Sequence, residues 1–173
     1  SKNIKTNFLN IKNKNTIIKK RYVDNISKNK IIGVYDLNDE PLKKDDEEKF
    51  LKLLNKLTKQ NDLVVVSDYG HGLISKKAAN LICKNSKFLA LNAQINSSNI
   101  GFHTIRNYKN FNTLIINEKE LRHEMREKSI KLETLMIKLS INKNIKNLIV
   151  TRGNNGSIMY NNKKFYYVDA FAK

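Results

Sequence analysis

Asn117 and Glu120, separated by Glu118 and Lys119, place a carboxamide and a carboxylate three positions apart at the start of a helical stretch. Such a pair can hold a hydrated Mg²⁺ that bridges phosphates, because Mg²⁺ takes one or two carboxylates and keeps several waters. The same two residues can simply close a capping box. Further along, Thr151, Gly153 and Gly156 form a T-x-G-x-x-G loop. Its glycines let backbone amides lie against a nucleotide, and the threonine hydroxyl adds a donor; a glycine-containing turn is the plainer alternative. In Ser67-Asp68-Tyr69-Gly70-His71-Gly72, Asp68 can accept hydrogen bonds from sugar or alcohol hydroxyls, while Gly70 and Gly72 let the backbone turn sharply and approach a ligand. Asp68 can equally cap the following helix or stabilise the turn.

What must position these groups is a set of apolar, β-branched runs: Leu63–Val66, Phe88–Leu91, Thr113–Ile116 and Leu148–Val150. Each ends in a polar loop, and the loops hold Asp68, Asn92, Asn117 and Thr151 respectively. Helical spacing fills the intervals, from about Ser75 to Lys84, from Glu118, and from about Ile130 to Ile141. Alternating strands and helices imply a parallel sheet with right-handed crossovers. Ligands bind beyond the carboxyl ends of such strands, so the four loops should converge on one crevice.

Upstream, Thr16–Val23 and Lys30–Tyr35 read as a hairpin turning through Asp24 to Lys28. After Pro41, Phe50, Leu53, Leu54 and Leu57 recur at helical spacing behind the acidic run Asp45-Asp46-Glu47-Glu48, which complements the positive end of a helix dipole. At the other end, Gly156–Tyr160 and Lys163–Val168 flank Asn161-Asn162 as a second hairpin, across which Tyr166 and Tyr167 pack. No linker or internal repeat interrupts the 173 residues, so one domain is expected over 1–173, with a core over 60–173 and lid-proximal strands over 14–36.

With 40% apolar residues there is enough to fill one core. No apolar stretch approaches a membrane span and no signal-peptide segment opens the chain, so a soluble cytoplasmic protein is expected. Cys83 is the only cysteine and reads as a packed thiol in a reducing compartment. The 33 Lys and Arg against 16 Asp and Glu leave a net charge of +17, which raises nucleic-acid binding. Against that reading, only five of the cations are Arg, and the Lys residues are scattered among Asn and Ile without an aromatic-interleaved patch. The field still draws in anions such as nucleotides and sugar phosphates. His71 sits where it can approach a ligand, whereas His103 and His123 have no second His or Cys at metal-ligand spacing.

In order and spacing, Asp68-Tyr-x-x-Gly72, Leu91-Asn92-Ala93-Gln94 continuing to Gly101-Phe102, Asn117-x-x-Glu120 and Thr151-x-Gly153-x-x-Gly156 resemble the ribokinase-like (PfkB) carbohydrate kinases. The resemblance spans nearly the whole chain and is strongest to heptose-phosphate-kinase-like sugar kinases, some of which are fused to a nucleotidyltransferase. Thr16-x-x-Lys19-x-Arg21 and Val34–Glu40 are similar to the lid-proximal stretch of that subgroup. It implies an α/β ribokinase-like fold, mainly a parallel sheet flanked by helices, and ATP- and Mg²⁺-dependent phosphoryl transfer to a sugar or sugar phosphate. Asn117 and Glu120 would organise Mg²⁺ and phosphate. Thr151, Gly153 and Gly156 would bind ATP, Asp68, Gly72 and Asn92 would stand near the junction of acceptor and phosphate, and Lys19 and Arg21 would meet an acceptor that already carries phosphate. It also implies lid strands that pair in a homodimer.

The chain departs from the family in lacking the opening acceptor strand with its glycine-rich segment, and the G-A-G-D signature whose Asp is the catalytic base. The resemblance therefore implies a central segment of a kinase domain, with no catalytic residue assigned among the residues in hand. Phosphoryl transfer needs a carboxylate to take the hydroxyl proton. Asp169, the one acid near the end, reads as a strand-end residue. A binding module on the same scaffold, holding a nucleotide or anionic sugar, is the alternative.

Overall fold

The computed structural model describes residues 3–12, 14–37, 39–94 and 105–171. Gly101, Phe102 and His103 lie outside the described residues.

β1 (Ile18–Val23) and β2 (Lys30–Asp36) pair antiparallel as a separate two-stranded sheet. Asp24 turns the chain between them: its Oδ2 accepts from the amides of Ile26 and Ser27, and Lys28 takes a left-handed φ of 57°. α1 (Lys44–Gln60) opens with Asp45, Asp46 and Glu47 in its first turn, where carboxylates face unpaired amides.

β3 (Leu63–Asp68), β4 (Phe88–Ala93), β5 (Thr113–Asn117) and β6 (Asn147–Thr151) pair in parallel in that order. β7 (Ser157–Asn161) and β8 (Lys164–Val168) extend the sheet antiparallel to six strands. α2 (Lys76–Asn85), α3 (Glu118–Met125) and α4 (Leu132–Lys143) connect the parallel strands. Ser75 caps α2 by accepting from the Ala78 amide at 3.2 Å. α4 ends on Asn144 at a left-handed φ of 52°, with the Ile145 amide reaching back to the Ser140 carbonyl at 2.9 Å.

Alternation along the strands sends one set of side chains into a single core. Val66, Leu89, Leu91, Leu114, Ile116, Leu148, Val150 and Ile158 join Ala79 and Ile82 of α2, Leu121 of α3, and Leu135, Met136 and Leu139 of α4. Tyr108 and Phe111, in the irregular segment after a short 3₁₀ turn at Ile105–Asn107, also enter it. The opposite face is more open, with Leu63 and Val65 at 56% and 65% exposure.

The strands run further than the apolar runs alone suggest. Asp68, Asn92, Asn117 and Thr151 are strand residues, not loop residues. The ladder continues through them, Asn117 pairing with Thr151 and Ser67 with Asn92, because parallel pairing uses the backbone and is indifferent to polar side chains at a sheet end.

Candidate active site

The carboxyl ends of β5 and β6 lie side by side. Asn117 and Thr151, paired across the ladder, line a cavity of about 550 Å³ together with Glu118, Lys119, Arg122, Arg152, Gly153 and Asn155. Asn117 is also the N-cap of α3: its Oδ1 accepts from the Glu120 amide at 2.9 Å, and Glu120 Oε2 accepts from the Asn117 amide at 3.0 Å. The capping box is thus complete, and Glu120 stands buried behind Asn117, outside the cavity wall. Asn117 Oδ1 and Glu120 Oε2 are thereby each engaged by the other residue's backbone amide. No group of three or more potential metal ligands occurs among the described residues.

Glu118 is held by two guanidinium groups, Arg122 at 2.9 Å and Arg152 at 3.2 Å. Burial works against its charge, but hydrogen bonds from Arg122 and Arg152 outweigh it and hold the carboxyl below its ordinary range. Arg122 also donates to the Lys128 and Ile130 carbonyls, fixing the turn that leaves α3. The cavity floor is therefore a braced array of positive charge beside a helix N-terminus, suited to phosphate oxygens.

The two glycines of the T-x-G-x-x-G loop differ. A Cβ on Gly153 would meet nothing within 4 Å, whereas one on Gly156 would strike the Val168 carbonyl oxygen at 2.0 Å. Gly153 faces the open cavity; Gly156, absent from its lining, lets the chain pass β8. Of the three positions, Thr151 and Gly153 can touch a nucleotide, and Gly156 shapes the loop.

At the same carboxyl end of the parallel strands, but two strands away from β5, Asp68 at the close of β3 is buried. Its Oδ1 accepts from the Gly70 amide at 2.9 Å and its Oδ2 accepts from the Tyr108 hydroxyl at 2.7 Å. Burial, with the Asp68 charge beside it, pushes the Tyr108 phenol far above its ordinary range, so it remains a donor. Asn92 donates from Nδ2 to the Ile115 carbonyl at 2.9 Å, tying β4 to β5. Gly72, at a φ of 78°, lies against the backbone that follows β2, where a Cβ would come within 2.6 Å of the Glu40 oxygen. Lys19 lies over the Tyr69 ring at 5.5 Å, which brings β1 to this loop. Arg21 sits opposite Gly33 and, two residues on from Lys19, on the same face of the β1–β2 sheet.

The structure thus sorts the sequence candidates into two groups. Asn117, Thr151 and Gly153 share one cavity, with Glu120 behind them; Asp68, Gly72 and Lys19 gather around the β3–α2 loop, and Asn92 stands between. Sequence reasoning did not single out Glu118, Arg122, Arg152 or Tyr108. Arg152 had a signal, since it interrupts the glycine loop; Tyr108 had none, being in a segment without periodicity.

Residues 1–173 match the sequence model of the pfkB family carbohydrate kinase. The chain belongs to the PfkB family. No curated protein sequence matches it significantly. Among solved structures, this PfkB chain is similar to ribokinase from Thermotoga maritima, with a TM-score of 0.62 and 15% identity over 91% of this chain and 49% of that one. The tetrameric inhibited form of phosphofructokinase-2 from Escherichia coli gives 0.58 and 11%, over 80% and 46%. Arabidopsis thaliana ribokinase complexed with ribose and ATP gives 0.52 and 17%, over 76% and 40%. At these identities the likeness is one of fold: the PfkB chain has the ribokinase-like α/β architecture and spans about half the length of these matched structures. Among the described residues, no helix is long and apolar enough to cross a membrane.

Proposed function

We propose that the chain is the nucleotide-binding and acceptor-facing part of a cytoplasmic carbohydrate kinase that transfers a phosphoryl group from ATP to a hydroxyl of a sugar or sugar phosphate. The observation that carries this is the cavity where Asn117, Thr151 and Gly153 converge over the Arg122–Glu118–Arg152 array. Thr151 and the amides around Gly153 hold the nucleotide phosphates, and Arg152 and Lys119 balance their charge. Mg²⁺ would supply charge neutralisation between the phosphates, its waters held by Asn117 and Glu120. Asp68, fixed by Tyr108 and Gly70, marks the acceptor end, and Lys19 and Arg21 approach an acceptor phosphate from the lid. A kinase bound to ribose and ATP shares the fold, which supports both ligand classes. The exposed Ile18, Tyr22, Ile32 and Val34 on one face of the lid support pairing of lid strands in a homodimer.

A second reading, a nucleotide-binding module without turnover, is favoured by the state of Glu118. Among the described residues it is the one carboxylate on the cavity wall, and two guanidinium groups hold it ionised and hydrogen-bonded, which makes it a poor base.

Calorimetric titration with ATP and Mg²⁺ tests the shared part of both readings. Binding by the parent, weakened in Thr151→Ala and in Glu120→Ala, is expected. A folded chain that binds no ATP refutes both. ATP consumption that depends on an added sugar, in a polypeptide carrying this chain, separates the kinase from the module.

A further inference from the structure

A cavity of about 260 Å³ opens at the amino ends of β4, β5 and β6, the reverse of the edge that carries Asn117 and Thr151. At about 3.3 Å per residue, β5 alone keeps the two edges roughly 13 Å apart. Three separate segments bring polar groups to its wall: Lys87 after α2, Asn110 and Asn112 before β5, and Lys143 and Lys146 around the end of α4. Among the described residues, no carboxylate lines it.

The fold does not use up these groups. Lysines beside helix ends often serve the last carbonyls, but here the backbone and a hydroxyl serve them. The Ile82 carbonyl accepts from the Ser86 amide at 3.0 Å and from its hydroxyl at 2.7 Å. The Ser140 and Ile141 carbonyls accept from the Ile145 and Asn144 amides at 2.9 and 3.3 Å. Among the described residues Lys143 and Lys146 have no ion-pair partner, and Lys87 meets only Asp62, which is 93% exposed in a pair that water screens. Asn112 Oδ1 accepts from the Leu89 amide at 2.8 Å, which fixes the carboxamide and leaves Nδ2 to donate. Three ammonium groups around one small space, with no carboxylate among them, attract an anion. Because they come from different segments as compact point charges, they suit a phosphate, whose oxygens accept from several directions.

We propose that this cavity is a second anion site, which takes a phosphate group, free or carried on a small molecule, on Lys87, Lys143, Lys146 and the Asn112 carboxamide. It stands apart from the nucleotide cavity and does not rest on the kinase reading. The strands that begin here end in Asn92, Asn117 and Thr151, so a phosphate bound here ties together the amino ends of the strands that carry those residues.

Cys83, the only cysteine of the chain, lines the same cavity and serves as its reporter. Alkylation of the whole chain by iodoacetamide is followed by intact mass at constant ionic strength, with inorganic phosphate, pyrophosphate, D-fructose 6-phosphate or citrate added, and ¹H–¹⁵N spectra are recorded over the same titrations. The expected result is a saturable, severalfold slowing by at least one phosphate compound and not by citrate, with the Asn110 and Asn112 amides moving over the same concentrations. Half-protection should need a roughly tenfold higher concentration in the double variant Lys143→Gln, Lys146→Gln, whose affinity for ATP and Mg²⁺ stays that of the parent. Protection by the inorganic anions alone assigns a free phosphate, and protection by fructose 6-phosphate as well assigns one carried on a small molecule. Unchanged alkylation, or unmoved Asn110 and Asn112 amides, overturns the proposal. Equal protection in parent and double variant, or by citrate as well as by phosphate, also overturns it. So does a matching loss of ATP affinity in the double variant, which would make the two cavities one site.

Discussion

At the carboxyl ends of β5 and β6, Asn117, Thr151 and Gly153 stand around open space, whereas at the carboxyl end of β3, the edge strand, Asp68 is buried and already engaged by Tyr108 and Gly70. The first arrangement leaves hydroxyl and amide groups available for a highly charged ligand, with a guanidinium array to receive it. The second uses its polar groups for internal order, so that a ligand there must be met by neighbours such as Lys19. The two regions thus differ in kind, one open and lined by charged groups and the other closed and internally satisfied; under the proposed kinase reading the first would meet the nucleotide phosphates and the second the acceptor.

Substitutions at the ordered end should damage the fold, and those at the open end should damage binding. Tyr108→Ala, which empties a fully buried ring site and strips Asp68 of a partner, should cost about 3–5 kcal/mol in urea unfolding. An unfolding midpoint close to that of the parent would show that Asp68 is not held as described. Within the glycine loop, Gly156→Ala should cost more than about 1 kcal/mol because its Cβ meets backbone. Gly153→Ala, with a left-handed φ of 57° but nothing to strike, should cost about 1 kcal/mol and show its main effect on ATP affinity. Equal thermal shifts in the two would erase the distinction between them. Asn117→Ala removes the α3 cap and should cost about 1 kcal/mol, measurable by denaturant titration.

The smallest effect expected is that of Glu118→Gln on pH dependence. The Glu118 carboxyl is held below its ordinary value in the folded chain, so its contribution to stability is present above that value and fades as pH falls through the depressed one. The variant should lose stability at neutral pH and differ less from the parent in acid, as followed by thermal unfolding from neutral to acidic pH. A difference that grows in acid would reverse the assigned sign.

Much of this was legible in the residues. The four apolar runs and the helical spacings between them gave the parallel order, and polar turn chemistry marked both hairpins. Strand ends were not legible, because Asp68, Asn117 and Thr151 continue the backbone ladder that their polarity conceals. Asn117 and Glu120 carry two readings that share one geometry, and the completed capping box neither needs nor excludes a hydrated cation. The roles of Gly153 and Gly156 depend on β8, a tertiary neighbour invisible in a six-residue motif. His71 and Asp39 meet across 32 positions, and Tyr108 and Asp68 across 40. No periodicity joins residues so far apart.

The most direct test is a backbone amide titration by ¹H–¹⁵N NMR with ATP and Mg²⁺. The account predicts that the amides of Thr151, Gly153 and Asn155 move together and saturate, while those of Gly70 and Gly72 stay near their starting positions. Shifts confined to the β3–α2 loop, with the β6 loop unmoved, would contradict it.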